Sequence, residues 1–189
     1  MACGTHHKFE ITLAAHCAPV LAGYKPAALF PKPEWWEAAL IGKVSACGLR
    51  CMLIKRQKKN TVVFAWRPAL LEATLRCSVI RRVLPEFGYP AAGSVGDYLA
   101  FLAGRFRQSP EFPHEVGFFL GYPPEDVLGF IRHKGAHCKL CGMWKVYSDV
   151  KKAGVLFAEY ARCRQKLLEH IQGGGTILNG SLPAAAAGS

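Results

Sequence analysis

Apolar positions along the chain follow two rhythms, and the changes between them mark the elements. Leu71, Leu75, Val79 and Val83 recur at helical spacing within PALLEATLRCSVIRRVL and predict an amphipathic helix over 68–84. LRCMLIKR (49–56) and NTVVFAWR (60–67) are apolar, β-branched runs flanking a polar turn, the pattern of an antiparallel hairpin. Upstream, a short helix is expected at 9–17, followed by an irregular stretch broken by Pro19, Pro26, Pro31 and Pro33. Pro33-Glu34 then opens a helical reading through about 49.

In the second half, Ser94 is a plausible N-cap for a helix over 94–107. EVGFFLG (115–121) has the length and composition of a third strand, which Pro123-Pro124 cannot continue. Glu125 and Asp126 suit the first turn of a helix ending near 133, where acids complement the helix dipole. MWKVYS (143–148) reads as a fourth strand and 149–171 as a long helix. This order predicts an α+β fold, a small and mainly antiparallel sheet of about four strands packed by helices. A single domain is expected over 1–172, with a flexible Gly- and Ala-rich tail at 173–189. Leu53, Val63, Phe118 and Val146, one from each strand, are expected to be buried on that one sheet.

Composition narrows the class. The 189 residues are 51% hydrophobic and 20% charged, which is globular rather than disordered composition. No apolar stretch approaches the roughly 20 residues of a membrane-spanning helix, and no clear signal peptide opens the chain, so a cytoplasmic setting is expected. In that setting the eight cysteines are reduced thiols rather than a disulfide framework. The net charge of +11 is unevenly placed: ten Lys and Arg against one acid, Glu72, lie between Lys43 and Arg82. The densest part, at 55–59, offers a surface for nucleic acid, although no recognised nucleic-acid motif accompanies it and a solvated turn is the favoured reading.

Three polar clusters interrupt the apolar text: His16-Cys17 with Lys25, the pair His114-Glu115, and His133 to Cys141 leading into Trp144, Lys145 and Tyr147. Imidazole and thiolate select zinc, iron or a haem iron, and His16, Cys17, His114 and Cys141 are the candidate metal ligands. A lone C-x-x-C at Cys138 and Cys141 is weak evidence for a zinc site. As a redox pair it stands in the wrong context, since a strand and not a helix follows. Cys17 is the candidate nucleophile, with His114 as base, Glu115 orienting it and Lys25 as charge partner. Tyr122, Trp144, Lys145 and Tyr147 are the candidate ligand-binding residues.

The segments HCAPVLAGYKPAALF, FPHEVGFFLGYPPEDVLGFI and CGMWKVYSD resemble the hallmark segments of a clostridial family known only as a domain of unknown function. The resemblance covers about 9–165, with the segments in the family's order. It implies that Cys17, Lys25, His114, Glu115, Tyr122, Asp126, Trp144, Lys145 and Tyr147 belong to the shared pattern, and it implies no activity. Together these readings predict a pocket built from the HCAP loop, the His114-Glu115 entrance and the CGMWKVY strand. It would hold a small ligand or a transition-metal centre. The alternatives are a cysteine-dependent enzyme acting on a small substrate and a nucleic-acid-binding module. The expectation most exposed to refutation is that His114 faces Cys17 across that pocket.

Overall fold

The computed structural model describes residues 2–37, 39–55 and 61–177. Its elements are α1 (Ala2–Leu21), β1 (Ala27–Pro31), α2 (Leu40–Ala46), β2 (Arg50–Ile54), β3 (Val62–Trp66), α3 (Pro68–Leu75) and α4 (Ser78–Val83). After a 3-10 turn (Leu84–Phe87) come α5 (Val95–Gln108), α6 (Val116–Phe119), α7 (Pro124–His133), β4 (Leu140–Cys141), β5 (Lys145–Val146) and α8 (Val150–Gln172). The α+β class holds, but the strands form two antiparallel sheets: a three-stranded one in the order β1-β3-β2 and a separate β4-β5 hairpin.

The hairpin expected at 49–67 is present as β2 and β3, with Cys51 opposite Ala65 and Leu53 opposite Val63. The basic cluster at its tip, 55–59, lies outside the described residues except for Lys55, which is exposed. The strand that the sequence reading missed is β1, which pairs with the other side of β3 and makes β3 central. All five residues of β3 are buried, as a strand covered on both faces requires.

Alternation along β1 and β3 then sorts the core into two layers. Ala28, Phe30, Val63 and Ala65 pack with Phe9, Leu13, Cys17 and Val20 of α1 and with Leu167 and Ile171 of α8. On the other face, Ala27, Val62, Phe64 and Trp66 pack with α3 to α7, and Leu29 lies against them. A third cluster joins Trp144 and Val146 to Ala153 and Tyr160 of α8.

Several expected elements differ. The short helix at 9–17 extends to Leu21 because Arg67 donates from Nε to the Val20 carbonyl (3.1 Å) and from Nη2 to that of Leu21 (2.6 Å). Those bonds satisfy carbonyls at the helix end, where positive charge is favoured. The helix expected over 34–49 shortens to Leu40–Ala46. The helix at 68–84 breaks at Cys77, whose backbone is extended, and both halves still face the same core.

The stretch read as a third strand, 115–121, is instead helical. Gly117, Phe118 and Leu120 donate backbone bonds to His114, Glu115 and Val116 respectively, at 3.0–3.1 Å. Short apolar runs fit a buried helical turn as well as a buried strand, because both faces of either are covered. MWKVYS keeps only Lys145 and Val146 in a strand, because the next two backbone amides, Tyr147 and Ser148, donate to the Asp126 carboxylate. Consequently Val63 alone of the four marker residues is buried in the main sheet. Leu53 is 39% exposed, Phe118 is buried in α6, and Val146 is buried in the second hairpin.

The cap expected at Ser94 forms, as a reciprocal capping box of Ser94 and Asp97, and α8 has a further cap in Asp149, which accepts from the Lys152 amide at 3.0 Å. At the chain's far end, within the stretch expected to be a tail, Ile177 is 1% exposed in the α1 layer. The buried Glu10 accepts from its amide at 3.0 Å and from the Thr176 hydroxyl.

Candidate functional site

A cavity of about 450 Å³ opens where β1, α6, α7 and the β4-β5 hairpin meet. Its floor is apolar because it is the exposed end of the second core layer: Leu29, Val116, Leu120 and Val127. One wall is aromatic, with Tyr122 stacked on Trp144 at 4.9 Å between ring centroids and 24° between planes. Phe112, His114 and Phe130 surround the mouth with Met143 and Lys145 of the hairpin.

Asp126 holds this wall. It is 2% exposed, and its Oδ2 accepts from the Trp144 indole N–H at 2.7 Å. Its Oδ1 accepts from the amides of Tyr147 and Ser148, both at 2.8 Å. Burial pushes the carboxyl upward, but these hydrogen bonds outweigh it and hold Asp126 below the ordinary carboxylate range. From its own sequence context Asp126 was read as a helix-dipole acid, and the resemblance placed it in the shared pattern without a role. Two of its three donors are backbone amides about twenty residues away, and backbone amides carry no sequence signal.

Lys145 places its ammonium against the Gly135 carbonyl (2.7 Å) and 6.0 Å from the centre of the Phe130 ring. The exposed His114 imidazole sits 4.6 Å from the same ring. Partial burial lowers the His114 pKa, with Glu115 and Glu111 pulling it up, so the ring is neutral at pH 7.

The other expected site residues lie elsewhere. Glu115, though adjacent to His114, turns away from the cavity: it accepts from Arg105 Nε at 2.9 Å and from the Tyr89 hydroxyl at 3.5 Å. Cys17 is fully buried in the α1 layer, on the face of the three-stranded sheet opposite to the one that floors the cavity. The expected meeting of Cys17 with His114 is therefore not found. Burial pushes the Cys17 thiol up to about 12, against the opposing pull of Lys25 and with Cys51 and Cys47 nearby, so no thiolate nucleophile stands there at neutral pH.

His16 is stacked on Phe30 at 4.6 Å in the same layer, whereas Cys141 lies at the cavity rim. The proposed ligand set His16, Cys17, His114 and Cys141 is thus split, and among the described residues no three His, Cys, Asp or Glu side chains are grouped to hold a metal ion.

Lys25 joins the two regions. It precedes β1, feels Cys17 on one side, and places Nζ 5.0 Å from the Tyr122 ring centre and 5.8 Å from that of Tyr160. Burial draws its pKa down to about 8, partly offset by Cys17. Of the residues expected to bind a ligand, Tyr122, Trp144 and Lys145 come together at the cavity. Tyr147 does not: it stacks on His133 at 5.6 Å. What the sequence reading missed is the floor, since Leu29 belongs to the unrecognised strand β1.

No helix of the described chain is long and apolar enough to cross a membrane. Among curated proteins and solved structures no match is found. A family model described as "Protein of unknown function (DUF3793)" matches residues 13–179, and the chain belongs to that family.

Proposed function

We propose that the protein binds a small, largely apolar organic molecule in the cavity beneath the Tyr122–Trp144 wall. The observation that carries this reading is the cavity itself, about 450 Å³ with an apolar floor, an aromatic wall and a few polar groups at its mouth. Small-molecule sites have this size and this balance, apolar area supplying affinity and a few polar groups fixing orientation. The wall is also pre-organised, because Asp126 fixes Trp144 from behind and Phe157 meets the same indole edge-on at 4.5 Å. Neither the thiol nor the metal reading has comparable support, since Cys17 is remote from the cavity and its thiol protonated.

The test is a filled pocket. N-phenyl-1-naphthylamine, a neutral apolar dye that brightens on leaving water, should bind the wild-type protein saturably. Leu29→Trp places an indole in the cavity and should weaken that binding by about tenfold or more, with the far-UV circular dichroism retained. Equal dye binding by the folded variant would refute the proposal.

A further inference from the structure

Given the pocket proposed above, we infer that its ligand is an organic monoanion, an apolar body bearing a single carboxylate or similar acidic group that Lys145 receives. The inference rests on which charges at the cavity are already matched. Asp126, the carboxylate among the lining residues, has Oδ2 engaged by the Trp144 indole and Oδ1 by two backbone amides. It therefore offers little to a cationic ligand. Lys145 is the reverse case. Its ammonium donates to one neutral carbonyl, that of Gly135, and among the described residues no carboxylate forms an ion pair with it. An ammonium has three donors, so two remain for a ligand at the mouth.

A half-buried positive group beside apolar surface favours an anion, and charge complementarity selects among ligands of equal shape. His114, neutral and at the same mouth, adds a hydrogen bond without adding charge. Polyanions such as nucleotides fit less well. One ammonium cannot neutralise several phosphates, and at the nearby N-terminus of α7 Pro123 and Pro124 have no N–H to offer a further phosphate group. The apolar floor selects for the body, and Lys145 selects for the acid.

The experiment compares a matched pair. 4-Phenylbutyrate and 4-phenylbutyramide share a body and differ in charge, and each is titrated against bound N-phenyl-1-naphthylamine. With the wild-type protein the acid should displace the dye at a concentration about tenfold lower than the amide. In Lys145→Met that preference should vanish, and in Lys151→Met, an exposed position on α8, both the preference and the dye affinity should persist. Equal displacement by acid and amide from the wild-type protein would overturn the inference while leaving the pocket in place. Failure of the dye to bind at all would remove the pocket reading itself. The wild-type comparison decides the matter even if the Lys145 variant does not fold.

Discussion

Asp126→Ala is expected to destabilise the protein by about 3–4 kcal/mol, a loss large enough to be read directly from the urea midpoint at neutral pH. The substitution leaves three donors without their acceptor: the Trp144 indole and the amides of Tyr147 and Ser148. Hydrogen bonds to an ionised acceptor contribute more than neutral ones, and buried donors left unpaired retain their desolvation cost. Asp126→Asn should fall between the two. Its amide has a single acceptor oxygen, so either the indole or the pair of backbone amides faces an NH₂ group.

The pH dependence has a definite sign. The folded carboxyl is held below its ordinary range, so its contribution is fully present above the unfolded value of about 3.9 and is lost as pH falls through the lower folded value. The stability gap between wild type and Asp126→Ala should therefore be constant from pH 7 to about 5 and narrow toward pH 3. A gap that held its full size at pH 3 would mean that Asp126 is not the ionised anchor described.

Gly121→Ala is the second large effect. Gly121 has φ +76°, which L side chains rarely adopt, and an added Cβ would lie 2.8 Å from Cγ of Pro26 and nearer still to Cδ. Left-handed backbone costs a non-glycine residue about 1–2 kcal/mol and an overpacked contact about 1–3 more, so a total of about 2–4 kcal/mol is expected. Gly23→Ala is the control, because Gly23 also has positive φ (+83°) but open space around it. Chemical denaturation of both variants separates the two contributions. Equal losses would show that the Gly121–Pro26 approach does not matter. That approach is what seats the turn before α7 against the start of β1, bringing Leu29 and Lys25 beside Tyr122.

How far the molecule is legible from sequence follows from where its information sits. Patterns carried by adjacent sequence were readable: the β2-β3 hairpin, α5 with its Ser94 cap, and the helices α7 and α8. Patterns that depend on a distant partner were not. β1 contains Pro31 and follows Pro26, which read as irregular chain, yet β3 had both edges free and recruited it. EVGFFLG was apolar enough for a strand, but it forms a helical turn that Glu115, at its start, ties to Arg105 of α5.

At the site, Tyr122, Trp144 and Lys145, three of the residues expected from the sequence to bind a ligand, line one cavity. The cysteine was misleading for the opposite cause. Cys17 looked reactive beside His16 and Lys25, whereas on α1 it occupies a core position in series with Phe9 and Leu13, at spacings of four. A thiol in such a stripe is a small apolar residue.

The most direct test of the central claim follows the indole N–H signals of the four tryptophans by ¹H–¹⁵N NMR during titration with N-phenyl-1-naphthylamine. Trp144 forms the cavity wall, while Trp35 and Trp36 belong to the layer on the opposite face of the three-stranded sheet. A dye in the cavity should shift the Trp144 indole signal through its ring current and leave those of Trp35 and Trp36 in place. Binding that moved Trp35 or Trp36 and left Trp144 unchanged would contradict the assignment of this cavity as the ligand site.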